Sequence, residues 1–277
     1  RHVASVPLSG APSLTPSEAG TLAIPTARTL TTSTVNLAAG ATLEVNGTVT
    51  GNAPLATVNG SSGAETIILN GLFGAIGSLQ DGDDTFLFRD NAAFATGASI
   101  DGGSGIDTVV ADIAGSVSLG PQPGFELLTK QGVGTLTLAD THPFSTTSVE
   151  AGRLIVNGSL LGDVTVSAGA TLSGIGTLGS GTGTALTRIA SGAHLAPGIS
   201  PGTLRMDSLL LDAGALLDYE LGLPGIVGGS QNDLVEVVGN LTLDGTLNLF
   251  NMGGMSPGVY RLISLGGRLV HNSLRIS

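Results

Sequence analysis

The sequence predicts an all-β chain coiled as a parallel β-helix, or β-solenoid, and three observations carry that expectation. The first is a repeat. Between Leu128 and Leu249 one phrase is rewritten at least six times, within GVGTLTLAD from Gly132, AGRLIVNGS from Ala151, GDVTVSAGATLSGIGTL from Gly162, TRIASGAHLAPGISPGTLRMDSLLLDAGALLDYEL from Thr187 and NDLVEVVGNLTLDGTLNLF from Asn232. Each copy alternates apolar with small polar residues, a period-2 signal that gives a strand one face for a core and one for water. Copies recur at intervals of roughly 20 residues with little between them, as stacked repeats do. The second observation is composition: no Trp, two Tyr and seven Phe in 277 residues leave Leu, Val, Ile and Ala to fill the interior. Coils stacked like on like at about 4.8 Å can do this. The third is glycine, 44 of them, many in Ala-Gly, Asn-Gly or Asp-Gly pairs that supply positive-φ corners between short strands. The same pairs are also hairpin signals, at VNGSL around Gly158 and LDGTL around Gly245, so an antiparallel arrangement is the alternative.

In chain order, residues 1–26 hold Pro7, Pro12, Pro16 and Pro25, which interior strands exclude, so this part reads as an irregular or edge segment. The opening RHVASVPLSGAPSL lacks the apolar core of a signal peptide and reads as a start within a longer precursor. Residues 27–202 read as a β-helix stalk. AGATLEVNG at Ala39 and AGRLIVNGS at Ala151 are the same phrase, which argues for one continuous architecture. Residues 51–123 are less regular: GLFGAIGSL near Gly71 and NAAFATGAS near Asn91 read either as loop insertions or as wide corners. In the regular part, alternation predicts that Leu154, Val156, Val164, Val166, Leu172 and Leu178 face one core. Residues 203–277 carry the densest apolar alternation and read as the most stable coils. There the Gly266-Gly267 pair, between strands at Tyr260–Leu265 and from Leu269, reads as a hairpin-like cap over the last edge.

Charge narrows the function classes. Twenty-one acidic against ten basic residues give −11, which argues against nucleic acid or an anionic bilayer as partner. The absence of cysteine rules out a disulfide framework and thiol chemistry. No apolar run is long enough for a membrane helix, and two tyrosines cannot build the aromatic girdles of a lipid-facing barrel.

Several short motifs match, and each has a plainer reading. Gly198-Ile199-Ser200-Pro201-Gly202 fits G-x-S-x-G, but the strand-like TLRMDSLLLD follows where a nucleophile elbow needs a helix. Gly174 to Gly179 fits G-x-G-x-x-G, again with no helix to open. Gly102 to Val110 completes one unit of the calcium-binding nonapeptide, and GDDTFLF at Gly82 repeats its second half. Asp84, Asp101 and Asp107, with Asp81 and Asp83, are thus calcium candidates, against the plainer reading as polar corners. His2, His142, His194 and His271 are scattered without zinc spacing. Asn46, Asn59, Asn157 and Asn240 fit the glycosylation pattern, which turn chemistry also explains. Asp218 and Glu220 share a strand face, with nothing aromatic beside them to stack a sugar. No convergent catalytic set and no cofactor motif emerge, so the chain reads as non-enzymatic.

Taken together, GVGTLTLAD, AGRLIVNGSLLGDVTVSAGATLSGIGTLG, LAPGISPGTLRM, GALLDYELG and NDLVEVVGNLTLDGTLNLF resemble the passenger-associated transport repeat region of bacterial autotransporters. The stretch from Pro257 to Ser277 resembles the part that family places just before its linker helix and membrane barrel, neither of which lies in this sequence. The resemblance implies a right-handed parallel β-helix, exported through the periplasm and outer membrane of a Gram-negative bacterium to the cell surface by the barrel of its own full-length precursor. It implies an adhesin or an autoaggregation and biofilm factor, with a host surface or matrix protein, a glycan or a second copy as partner. A passive stalk for an upstream domain and a polysaccharide-acting enzyme are the alternatives. It carries over no ligand residues, and residues 51–123 resemble the family only loosely.

Overall fold

A computed structural model describes residues 9–11, 19–51 and 55–277. All regular structure among these residues is β-strand, and the strand ladders run parallel, stacked as a β-solenoid. The chain divides into two compact units. The first comprises the described residues up to Ala114 with Gln122–Leu128, and the second comprises Gly115–Pro121 with Thr129–Ser277.

In the first unit the coils from Thr21 to Asp101 each contribute one short strand to each of three ladders. One ladder stacks Thr21–Ile24, Thr42–Val45, Thr66–Leu69, Thr85–Phe88 and Thr108–Asp112. The register is like on like: Thr21, Thr42, Thr66, Thr85 and Thr108 form one rank, half exposed, while Leu43, Ile67, Phe86 and Val109 form the next, fully buried. Alternation produces both ranks at once, because neighbouring side chains point to opposite faces of the strand. The interior is not purely aliphatic, contrary to the compositional expectation. Phe86 lies 5.9 Å from Phe94 and 6.3 Å from Phe125, and Phe73 meets Phe94 edge to face at 5.8 Å. Few aromatics in the whole chain thus still make a cluster, because stacking places them one above another.

The segments near Gly71 and Asn91 are not loop insertions. Leu72–Phe73 pairs with Thr48–Thr50 and with Ala93–Phe94, and Ala75–Gln80 pairs with Ala56–Ser61. Their many Gly and Ala residues mark close packing within ordinary coils. Of the proline-rich start, Pro7, Pro12 and Pro16 lie outside the described residues, whereas Ser9–Ala11 and Thr21–Ile24 are strands, the latter ending just before Pro25.

In the second unit the core is a column of leucines. Leu136, Leu154, Leu172, Leu195, Leu217 and Leu247 sit in direct register through six successive strands, and each is at most 2% exposed. Val156, Val164, Val166 and Leu178 are buried beside them. The three glycine pairs read as possible hairpins are corners or kinks. Arg153–Val156 pairs with Thr135–Leu138, whereas Ser159–Leu160 beyond Gly158 pairs with Thr141–His142, so the chain turns from one ladder to another. A Cβ on Gly158 would stand 2.1 Å from the carbonyl oxygen of Asp140, a separation only glycine permits. Gly245 lies inside the strand Leu241–Asn251, where the register shifts. The expected terminal hairpin is likewise absent. Ile263–Leu265, shorter than anticipated, pairs with Leu234–Val237, and Leu269–Ile276 pairs with Leu241–Asn251, so Gly266-Gly267 is one more corner.

Leu172→Asp should lower the denaturation free energy by several kcal/mol, since it places a carboxylate in the leucine column with no partner. Thr165→Asp, on the exposed face of the neighbouring ladder, should change it by less than about 0.5 kcal/mol. Urea titrations of both variants check the inside-outside assignment.

Candidate functional site

Where one face of a coil gives way to the next, the backbone N–H groups lose their strand partners and need other acceptors. In the first unit four acidic residues meet that need. Glu65, Asp84, Asp107 and Glu126 each stand directly before a strand, at Thr66, Thr85, Thr108 and Leu127. The Glu65 N–H donates to Asp84 Oδ1 at 2.6 Å, the Asp84 N–H to Asp107 Oδ1 at 2.6 Å, and the Asp107 N–H to Glu126 Oε2 at 2.9 Å. At the first rung, Glu65 accepts the backbone N–H and the hydroxyl of Ser61, at 2.9 and 2.6 Å. Each acid thus satisfies the coil before it, and the four form one column.

The column stores electrostatic tension. Glu65, Asp84 and Asp107 are at most 1% exposed, and Asp84 Oδ2 and Asp107 Oδ2 are buried with no hydrogen-bond partner among the described residues. Burial pushes the Asp84 carboxyl up to about 6, with Glu65, Asp107 and Asp83 adding repulsion and the Glu65 N–H opposing it. Burial likewise raises Asp107, with Glu126, Asp83 and Asp101 adding repulsion and the Asp84 N–H opposing it.

This column is what the calcium pattern reads as a metal site. Asp84 and Asp107 direct one oxygen each to a backbone N–H, and Asp83 Oδ1, outside the column, accepts the Ile106 N–H at 2.9 Å. Asp101 is half buried and Asp81 exposed. Among the described residues no group of three or more acidic or histidine side chains is placed to hold a metal ion. Asp84, Asp101 and Asp107 therefore do not converge as ligands.

The second unit uses the same device singly. Asp233, fully buried, accepts the Gly202 N–H at 2.9 Å and the Glu220 N–H at 2.7 Å, and burial outweighs both to push it up to about 7. Asp207 accepts the N–H groups of Gly181, Thr184 and Ala185. Lys130 is the converse case. Its buried ammonium donates to the carbonyls of Gln131, Gly132 and Ala151, satisfying acceptors where the acids satisfy donors.

The other motif residues do not assemble into a reacting centre. Ser200 is exposed in a turn between the strands His194–Pro197 and Thr203–Met206, with no helix after it. Gly174 ends one strand, and a Cβ on Gly179 would meet Asp207 Cγ at 2.3 Å, so those glycines serve corners. His194 Nδ1 lies 2.6 Å from Asp218 Oδ2, whose other oxygen accepts from Asn248 Nδ2 at 2.7 Å, an external cross-strand chain of polar contacts. His142 is buried against Phe144, the rings stacked at 5.8 Å, with neither ring nitrogen hydrogen-bonded among the described residues. Burial lowers its pKa, against the pull of Asp140. His2 lies outside the described residues. An open groove of about 490 Å³ in the second unit runs beside the Arg205–Glu236 ion pair, with Val238 and Leu265 on its walls.

Sequence reasoning singled out Asp84 and Asp107, half of the carboxylate column, as calcium candidates or polar corners, and missed Glu65 and Glu126. The signal is an acid directly before each strand, in AETIIL, DDTFLF, IDTVVA and FELLTK. The hydrogen-bonded intervals are 19, 23 and 19 residues, one coil each.

No family model matches the chain. A stretch of 86 residues, 30% of this chain, is 52% identical to part of the adhesin BmaC autotransporter of Brucella suis biovar 1 (strain 1330). The matched stretch spans 2% of that protein's length.

The column makes the first unit sensitive to pH in a defined direction. The folded Asp84 binds its proton up to about pH 6, against 3.8 for a free side chain. Its stabilising contribution is thus complete below 3.8 and is lost as pH rises through about 6, with Asp107 acting in the same sense. His142 in the second unit acts oppositely, weakening the fold as pH falls below its free value of 6.5. Amide exchange, corrected for intrinsic rates, should therefore show Thr66–Leu69, Thr85–Phe88 and Thr108–Asp112 better protected at pH 5 than at pH 7.5. Asp84→Asn, which keeps the Oδ1 acceptor and removes the charge, should flatten that difference.

Proposed function

We propose that this chain is a segment of an autotransporter passenger that works at the bacterial cell surface as an adhesin or autoaggregation factor, without enzymatic turnover. The observation that carries the reading is the 52% identity over 86 residues to a protein named as an autotransporter adhesin. Two features support it. The parallel ladders turn short, weakly charged sequence into long ranks of half-exposed hydroxyl side chains, such as Thr21, Thr42, Thr66, Thr85 and Thr108, about 4.8 Å apart. Such ranks offer hydrogen-bonding groups at a fixed spacing to a host matrix protein, a glycan or another copy. In addition, the buried acids are engaged with backbone N–H groups, which suits a structural role for them better than general acid or base work.

Export by the barrel of the full-length precursor and a position outside a Gram-negative cell belong to the same proposal. The chain displayed on a non-adherent bacterial host should raise adherence to matrix proteins or glycan-coated surfaces, or the settling rate of the suspension, at least severalfold. Unchanged adherence and unchanged settling, with display verified by antibody, would overturn the reading.

A further inference from the structure

Asn46-Gly47, Asn70-Gly71 and Asn157-Gly158 turn the same kind of corner, after the strands Thr42–Val45, Thr66–Leu69 and Arg153–Val156, and all of these residues are half-buried. At the first corner the Asn46 and Gly47 N–H groups both donate to the Ile24 carbonyl, at 2.9 and 3.1 Å. At the third the Asn157 and Gly158 N–H groups both donate to the Leu138 carbonyl, at 2.8 and 3.1 Å. The middle corner breaks the pattern. There the Asn70 N–H donates to the Val45 carbonyl at 2.8 Å and the Leu72 N–H to the Gly47 carbonyl at 2.9 Å, but the Gly71 N–H between them has no acceptor among the described residues. Two Asp-Gly corners hold their glycines as well, the Gly82 N–H donating to the Ser104 carbonyl at 2.9 Å and the Gly102 N–H to the Pro123 carbonyl at 3.0 Å.

The Asn70 side chain is also placed unlike its counterparts. Its Oδ1 accepts from Asn91 twice, from Nδ2 at 3.2 Å and from the backbone N–H at 3.4 Å. Donors aimed at a carbonyl oxygen stabilise the oxyanion that forms when the carbonyl carbon is attacked. Asn157 Oδ1, by contrast, is buried with no partner among the described residues. Asn70 Nδ2 reaches Asn46 Oδ1 only at 3.5 Å, the loose end of hydrogen-bond range. A polarised carbonyl and a weakly held amide nitrogen thus sit beside an unengaged backbone nitrogen.

We propose that Asn70-Gly71 is a site of spontaneous self-modification, at which the chain cyclises and deamidates while its sister corners persist. Solvent hydroxide takes the Gly71 N–H proton, and the nitrogen bonds to Asn70 Cγ. The Cγ–Nδ2 bond then breaks, and Nδ2 leaves as ammonia after taking a proton from water. Water opens the resulting five-membered imide at either carbonyl, leaving aspartate or isoaspartate at position 70, with no change of oxidation state. Glycine favours the closure because it has no Cβ to obstruct its own nitrogen. Neither product restores the corner. A carboxylate has no N–H for Asn46 Oδ1, and isoaspartate lengthens the main chain where a Cβ on Gly71 would already stand 2.1 Å from the Gly47 carbonyl oxygen. The reaction therefore adds a negative charge and loosens the junction between Thr66–Leu69 and Leu72–Phe73.

The sister corners are internal controls, since each presents the same dipeptide. During incubation at mildly alkaline pH, peptide mapping by mass spectrometry should show the folded chain converting Asn70 at least about fivefold faster than Asn46 or Asn157, the factor that one retained hydrogen bond is worth. In concentrated urea the three rates should converge. Asn70→Gln, whose longer side chain closes a ring far more slowly, should remove the fast event and leave the other two rates unchanged. Amide exchange at Leu72 should quicken in the incubated chain and stay constant in Asn70→Gln treated alike. Equal conversion of the three corners in the folded chain, or conversion of none, would overturn the proposal. A preference for Asn70 that persists in urea would overturn it too, by assigning the reactivity to the flanking sequence instead of the fold.

Discussion

Every coil in this protein must leave the next one a surface it can pair with, and the backbone enforces this at the corners more severely than in the strands. Within a strand, parallel pairing gives each N–H and C=O a partner automatically. At a corner the chain changes face, the pairing lapses, and a buried N–H without an acceptor costs about 1–3 kcal/mol. The column Glu65, Asp84, Asp107 and Glu126 answers that requirement with side chains from the neighbouring coil. Asp233 and Asp207 answer it in the second unit, and Lys130 answers the complementary need of carbonyls. The most deeply buried charged residues of an otherwise weakly charged chain are therefore spent on main-chain hydrogen bonds.

Between these corners the two units fill their interiors differently. The second relies on one residue type in register, six leucines from Leu136 to Leu247, so that each coil repeats the shape of the one before it. The first combines Leu43 and Ile67 with Phe86, and brings Phe73, Phe94 and Phe125 alongside. Larger side chains there coincide with close backbone approaches at Gly71 and Gly74, where an added Cβ would meet main-chain atoms at 2.1 and 2.6 Å. The strands of residues 56–112 nonetheless remain in register.

The sequence made the strands legible because alternation is a local property: Leu154, Val156 and Leu172 can be assigned a face from their immediate neighbours. Pair order was harder. Asn157-Gly158 and Gly266-Gly267 look like hairpin turns because a tight turn and a coil corner ask the same freedom of glycine, and only the distant partner distinguishes them. The carboxylate column was half visible for the same reason. An acid before a strand is obvious at Asp84 and Asp107, but its acceptor role depends on a backbone N–H one coil away.

The direction of the hydrogen bonds in the carboxylate column gives the stack a grammar for growth by duplication. Each acid completes the coil that precedes it in the chain, so a coil is portable only together with the acid of its successor. A duplicated segment running from one acid to the next carries a donor at one end and an acceptor at the other, and inserts without leaving either unmatched. Segment length matters less, for intervals of 19 and 23 residues already coexist in one column. Such a chain can lengthen by whole coils of unequal size, with the phase of one side chain serving as the joint.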